Sequence, residues 1–519
     1  MSAAKSVSHL TSGRLLAHNT VWNLLGQFLP MVVGVVTIPL LIRGIGVARF
    51  GVLSLAWIVI GYFSLFDLGI GRALTKLVAD KIGGHQEDAI PPLVWTSLLL
   101  MFLLGLIGGL IIEIVSSWLV HRALKIPEGL QIETLRGFYL LGLSIPMVTV
   151  ASGLRGVLEA LQRFRILNLI RIPMSIFTFV GPLLVLPFSR SLVPVIGVLV
   201  VGRLIGCAAH LFACLAAMPE LRHNFNLKRT LVSPLLTIGG WMTVSNIVGP
   251  AILYLDRFLI GAVLSVSAVA FYTAPFDLVS RLLMIPVSVA GVLFPAFAIS
   301  QRQDRNRTGL LLRRGLKYVF LSLFPIMLVI VALAPEILRL WLGPAFAENG
   351  STVLRWLAVG ILMNSLTTIP FAMLQGIGRP DITGKLLMID LPLYLAGAWM
   401  LVSRFGIKGA AIAWTGRSIL EVLVFLAMSL RFLPAGVLSL MRFGISITMA
   451  AATFYFSSLF TGLAFRCAFV LCALSAFALI SWFKLLKPEE RTFITFRRST
   501  LEVTDSCVVA SATGRNGAA

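Results

Sequence analysis

The chain has 519 residues, 58% of them hydrophobic and only 12% charged, which excludes a water-soluble domain organisation and places it in a bilayer. Its formal charge of +22 would ordinarily point to nucleic acid, but in a membrane chain positive charge is first sorted by side. The five cysteines show no CxxC spacing and the six histidines form no HExxH or other ligand pair, so no metal site, disulfide or cofactor is expected.

Apolar stretches of about 20 or more residues recur from near Thr20 to Phe483, each long enough to cross the hydrocarbon core as a helix. The expected fold is an all-α polytopic membrane protein with about fourteen transmembrane helices. The spans are predicted near 18–42, 48–71, 93–119, 137–159, 167–188, 192–217, 235–263, 268–298, 318–340, 355–376, 385–402, 409–430, 439–462 and 465–484. The first lacks a short apolar core followed by a small-residue cleavage site and reads as a retained helix. With a cytoplasmic N-terminus, and residues within about four positions of a span end counted with the adjoining loop, inner loops and tails hold roughly 28 of the 43 Lys and Arg, outer loops about 11 and span interiors about 4. That asymmetry predicts both termini on the cytoplasmic side. It also places the inner cluster QRQDRNRTGLLLRRGLK, from Gln301, in a loop beside an anionic leaflet, and makes nucleic acid an unexpected partner.

Internal repetition carries the organisation. VGRLIG from Val201 is echoed by TGRSIL from Thr415, VLEALQR ending at Arg163 by MLQGIGR ending at Arg379, and Trp22 by Trp241. The offsets are nearly equal (214, 216 and 219 residues) and the order is kept. Each copy holds six spans, an even number, so the repeats are parallel, two six-helix lobes around a central cleft. The expected divisions are a cytoplasmic N-terminal segment 1–17, an N-lobe 18–217, a cytoplasmic linker 218–234 and a C-lobe 235–430. Two extra helices (439–484) follow, then a cytoplasmic tail 485–519 with the composition of a disordered end. No connection is large enough for a catalytic domain, and no GxxxxGK[ST] occurs. The pattern excludes an ATP-driven pump and reads as a secondary transporter.

Several stretches resemble one family. NTVWNLLGQFLPMVVGVVTIPLLIRGIGVARFGVLSLAWIVIGYFSLFDLGIGRALTK from Asn19 is similar to the start of Wzx-like O-antigen and exopolysaccharide flippases, polysaccharide transporters of the multidrug/oligosaccharidyl-lipid/polysaccharide exporter superfamily. LDRFLIGAVLSVSAVAFYTAPFDL from Leu255, EILRLWLGPAFAENGSTVLRWLAVG from Glu336 and AMLQGIGRPDITGK from Ala372 resemble the same family, in its order. The resemblance implies a non-enzymatic flippase of the bacterial inner membrane. It would move a polyprenyl-diphosphate-linked oligosaccharide from inner to outer leaflet by alternating access, with membrane lipids and other polysaccharide-assembly proteins as partners. Rival readings are a peptidoglycan lipid-precursor flippase, a drug/cation antiporter, and, from another class, a membrane glycosyltransferase, polymerase or ligase.

No short signature transfers residue roles, so these follow from electrostatics. A diphosphate cargo calls for a cationic, hydrated cleft. Arg203, Arg257, Arg281 and Arg417 fall inside the predicted spans, where each costs about 2.5–3.5 kcal/mol unless it faces a cavity or a partner. Arg203 and Arg417 are repeat equivalents, so both are candidate phosphate ligands from facing lobes, with Arg281 a third. Arg417 has an alternative partner in Glu421, four residues on, and Arg281 has one in Asp277; Arg203 has no carboxylate at i±3 or i±4. Asp67, Asp390, Asp256, Asp277 and Glu421 are candidates for coupling to a proton or sodium gradient, or for helix-helix hydrogen bonding. Trp57, Phe63, Met284 and Trp399 read as packing or interfacial residues, and Pro30, Pro39, Pro173, Pro286, Pro295 and Pro370 as kinks. On these grounds Arg203→Ala and Arg417→Ala are expected to act alike, impairing flipping without loss of protein.

Overall fold

The computed structural model describes residues 29–485 except 31, 63–68, 85, 162, 234, 237–253, 304, 435–439 and 461. Among the described residues the chain is helical and contains no strand. In the first half lie α1 (Val32–Ile45), α2 (Val47–Tyr62), α3 (Ile70–Gly83), α4 (Ile90–Trp118), α5 (Glu128–Ala160), α6 (Phe164–Val185) and α7 (Leu192–Ala217). The second half holds α8 (254–263), α9 (Val266–Ser280), α10 (Met284–Gln303), α11 (Arg305–Ala332), α12 (Ala334–Leu342), α13 (Pro344–Gly376), α14 (Pro380–Phe405) and α15 (Ile407–Leu430). After these come α16 (Leu440–Leu459) and α17 (Leu463–Ile480). Among the described residues ten helical stretches are long and apolar enough to cross a membrane, and two further apolar helices, Val32–Ile45 and Val47–Ile60, are shorter.

Three predicted spans differ in the structure, each for a local reason. The segment predicted as one span over 268–298 tightens into a 3-10 turn at Arg281–Leu283 between α9 and α10. Pro286 lacks the N–H that would bond the carbonyl of Leu282, so the α ladder cannot run through unbroken. The span predicted over 318–340 stops at Ala332, and a separate short helix α12 begins at Ala334; Pro335, in its first turn, has no N–H with which to continue the ladder to Val331. The span predicted over 48–71 is described as α2, ending at Tyr62, and α3, beginning at Ile70 directly after Gly69 in the left-handed conformation (φ 71°); residues 63–68 lie outside the described residues. The basic stretch from Gln301, expected to be a loop, is helical from Arg305 as the first turns of α11.

The duplication is visible in hydrogen bonds. Where α5 ends, Leu161 N donates to Val157 O (3.0 Å) and Arg163 N to Leu158 O (2.9 Å). The same two bonds recur 216 positions on, from Ile377 N to Met373 O (2.9 Å) and from Arg379 N to Leu374 O (2.9 Å), with Arg163 and Arg379 each preceding a helix. Neighbours repeat as well. α5 and α6 both pack on α7 as α13 and α14 both pack on α15, and α3 lies on α5 as α10 lies on α13. Trp22 and Trp241, the third repeat marker, lie outside the described residues.

The described residues form two compact units. One runs to Leu323 and includes Ala334–Leu440; the other comprises Phe324–Leu333 with the described residues from Met441 onward. In the second unit the Phe324 ring lies 5.5 Å from that of Phe454 and 4.8 Å from that of Phe477.

Inside the first unit the two halves touch at a seam. A side chain at Gly51 of α2 would place its Cβ 1.8 Å from the carbonyl oxygen of Val266, the first residue of α9, so only glycine allows this approach. Beside it, Lys125 N donates to Gly261 O (2.9 Å) and Lys125 Nζ donates to Val263 O, which supplies partners for carbonyls left open at the end of α8. Farther off, Trp341 Nε1 donates to Val35 O (2.6 Å). Within the first half Arg49 forks onto Glu133 (2.9 and 3.1 Å), which also accepts from Leu192 N (3.1 Å) and so ties α2, α5 and the start of α7.

Close packing of α5 on α3 rests on Gly156, where a Cβ would lie 2.6 Å from Thr75 Oγ1 and 2.8 Å from Gly71 O. Gly156→Val is therefore expected to cost about 1–3 kcal/mol through overpacking. A fall in the melting temperature of the detergent-solubilised protein, absent for a valine at the open position Gly197, checks this.

Candidate functional site

The capping of α7 begins the site. Ser191 Oγ accepts from Val193 N (3.4 Å) and sets the start of a helix whose middle carries Arg203. Opposite, α6 starts directly after the repeated turn at Arg163 and brings Arg171, Ser175 and Thr178 alongside α7. Between α5, α6 and α7 lies a cavity of about 300 Å³, lined by Ser152, Arg155, Arg171, Met174, Ser175, Thr178, Arg203, Cys207 and His210 among others. A second cavity, of about 510 Å³, opens between these helices and residues 280–287 of the other half. Arg171, Ser175, Thr178 and Arg203 line both, and Arg281 lines the second.

The lining has one sign of charge. No Asp or Glu borders either cavity among the described residues. Arg203 and Arg171 make no ion pair there; the Arg281 guanidinium sits 5.6 Å from the centroid of the Phe179 ring. Arg155 donates to Ser152 Oγ (3.3 Å) and stands 3.9 Å from Glu159. His210 Nδ1 donates to Gly206 O (2.7 Å), since a carbonyl only accepts, and Nε2 is left as an acceptor. Guanidinium forks, three hydroxyls and an imidazole acceptor are the groups that bind phosphate oxygens and sugar hydroxyls.

Of the three arginines expected to hold a cationic cleft, the structure brings Arg203 and Arg281 to one cavity, and Arg417 lies elsewhere. Arg417, 6% exposed in its side chain, donates to Asp390 on α14 (2.7 Å) and to Glu421 (2.8 Å), while Asn364 Nδ2 donates to Glu421 (3.2 Å). The reason is local, because a guanidinium desolvated among apolar helices is held by the carboxylates within reach rather than by an empty space. The carboxylates expected as coupling sites share this fate. Asp256 accepts from Tyr272 Oη and, at 3.3 Å, from Tyr394 Oη, and the Arg417 guanidinium lies 5.4 Å from the centroid of that same Tyr394 ring. Asp277 pairs with Arg257 (3.6 Å) and not, as its spacing allowed, with Arg281. Arg257, only 1% exposed, is also sandwiched between the rings of Tyr254 and Phe276, each 4.5 Å away. Asp67 and Phe63 lie outside the described residues. Trp57 packs edge-on against Phe50 and Phe179, Met284 lines the second cavity, and Trp399 is exposed.

Sequence reasoning gave no role to Arg171 or Arg155. The missed signal was available for Arg171, which falls inside the predicted span 167–188 with no carboxylate within four residues.

A duplicated helical bundle with apolar membrane-length helices and an arginine-lined cavity between its halves is the arrangement of a membrane transporter. Residues 16–301 match the family described as polysaccharide biosynthesis protein, more than half of the chain, and the protein belongs to that family. A putative O-antigen transporter of Shigella flexneri is 29% identical over 406 residues, covering 78% of this chain and 96% of that protein. Among solved structures, the lipid II flippase MurJ in an inward closed conformation superposes with a TM-score of 0.69 at 16% identity, over 90% of this chain and 100% of that one. An inward-facing multidrug resistance MATE transporter of the MOP superfamily gives 0.66 at 15% identity, over 78% and 94%. These two likenesses establish the fold.

Proposed function

We propose that the protein is a flippase for a lipid-linked oligosaccharide used in cell-surface polysaccharide assembly, carrying it from the inner to the outer leaflet by alternating access of two lobes, 18–217 and 235–430. One observation carries the reading: Arg171 and Arg203 from one half and Arg281 from the other line a single chamber, and no acidic residue lines it among the described residues. A sugar diphosphate loses many hydrogen bonds on entering lipid, at a cost of several kcal/mol per group, and this chamber replaces them. The cargo's diphosphate lies between the forks of Arg203, Arg171 and Arg281, and the hydroxyl-bearing cavity beside it receives the first sugar. Both termini lie in the cytoplasm, in a bacterial inner membrane, as the basic inner loops favour. With the inside negative, each negative charge moved outward gains about 2.3 kcal/mol per 100 mV, so the potential drives export.

The acidic residues of the second half, engaged with Arg257, Arg417 and two tyrosines, act as structural partners. A drug/cation antiporter would place carboxylates in the chamber to hold its cations, which makes it the weaker reading. The test is deletion of the gene followed by analysis of membrane lipids. The expected outcome is loss of surface polysaccharide with a specific oligosaccharide diphosphate lipid retained on the cytoplasmic face. Unchanged surface polysaccharide with accumulation of peptidoglycan precursor would establish the rival flippase instead.

A further inference from the structure

Arg203 and Arg417 are the same residue of an ancestral repeat, yet one is free in a chamber and the other is held by two acids. The difference is traceable position by position. Asp390, eleven residues beyond the turn residue Arg379, corresponds to Met174, eleven beyond Arg163. Glu421, four residues beyond Arg417, corresponds to Cys207, four beyond Arg203. Both counterparts stand where the acids stand in the other half. Met174 and Cys207 line the same cavity as Arg203, and a Cβ on Gly206 would be 3.3 Å from Met174 Sδ. The helix pairs that carry them, α6 with α7 and α14 with α15, pack alike.

We propose that Met174 and Cys207 determine the charge selectivity of the chamber: by presenting weakly polar sulfur where the second half presents carboxylates, they leave the Arg203 fork available to an anionic head group. The inference rests on the flippase reading for its cargo and on the repeat for its positions. An i,i+4 carboxylate on the same helix face reaches an arginine, as Glu421 does, and a second acid on the adjoining helix closes the clamp, as Asp390 does. Methionine and cysteine fill the same space without a formal charge or a strong acceptor. The chamber's cationic character therefore depends on two residues that carry no charge, together with the arginine itself.

The experiment installs the missing acids. Full-length protein in nanodiscs, as wild type, as the Met174→Asp/Cys207→Glu double variant and as the neutral Met174→Asn/Cys207→Gln control, is treated with phenylglyoxal, and modification of the Arg203 peptide is quantified by mass spectrometry. Arg417, already clamped, serves as the internal reference. The expected result is at least tenfold slower modification of Arg203 in the acidic variant, approaching Arg417, with the neutral control remaining as reactive as wild type. Flipping of a fluorescent polyprenyl-diphosphate glycolipid in proteoliposomes is expected to fall in the acidic variant far below that of the neutral control. Undiminished Arg203 reactivity in a folded acidic variant would overturn the assignment of Met174 and Cys207, leaving the flippase reading intact. Lost reactivity with undiminished flipping would overturn the cationic chamber as the cargo site, and the proposal with it.

Discussion

Replacing Arg417 by methionine is expected to remove most of the folded protein from the membrane. The variant leaves Asp390 and Glu421, 18% and 8% exposed in their side chains, without the guanidinium that both accept from. Breaking a buried ion pair by deleting one partner costs about 3–5 kcal/mol, because the survivors remain desolvated and uncompensated. Asp390, Arg417 and Glu421 with Asn364 join α13, α14 and α15 of the second half, so the loss is not confined to a side chain. Removing all the charges together separates this from any role in transport. A triple variant, Arg417→Met with Asp390→Asn and Glu421→Gln, is expected to recover most of the yield and melting temperature. The check is size-exclusion chromatography of a fluorescently tagged protein followed by a thermal ramp. A single Arg417→Met variant as abundant and stable as wild type would show that the triad does not hold the second half together.

Arg203→Gln and Arg171→Gln behave in the opposite way, with normal yield and lost transport. Neither guanidinium is part of an ion pair among the described residues, so no buried acid is stranded by its removal. A hydrogen bond to a charged group contributes about 1.5–3 kcal/mol. Loss of one fork therefore lowers flipping at limiting substrate by about 10- to 150-fold. Arg281→Gln is expected to show a smaller loss, since its guanidinium also rests on the Phe179 ring. Initial rates in proteoliposomes containing the variants, normalised to folded protein, measure all three. Full rates in an Arg171→Gln/Arg203→Gln double variant would dismiss the chamber as the cargo site.

These contrasting expectations for two arginines that look alike mark the limit of the sequence. The bilayer, the helices and the duplication were legible because they are written in composition and in offsets along one chain. Arg203 was legible because its lack of a nearby carboxylate is a local fact. Arg417 was legible only by half: Glu421, one turn away on the same helix, could be named as an alternative partner. Asp390, 27 positions away on another helix, became a partner only once α14 was laid against α15. The same holds for Asp277, whose spacing offered Arg281 and whose fold supplied Arg257. The break at Arg281–Leu283 was foreshadowed by Pro286 but hidden by hydropathy, which does not fall across a 3-10 turn. Pairing within a helix can be listed from sequence; choosing among partners requires knowing which helices touch.

The seam between the halves has a consequence for heredity. Lys125 binds peptide carbonyls of Gly261 and Val263, and Gly51 meets the carbonyl of Val266. Every acceptor on the α8–α9 side belongs to the backbone, which a codon change does not delete. On the opposite side two single codons, those of Gly51 and Lys125, decide whether the contact can form. Mutations that remove these donor contacts should therefore collect on the first half, and suppressors of a Lys125 defect should restore a donor there rather than rebuild the acceptor.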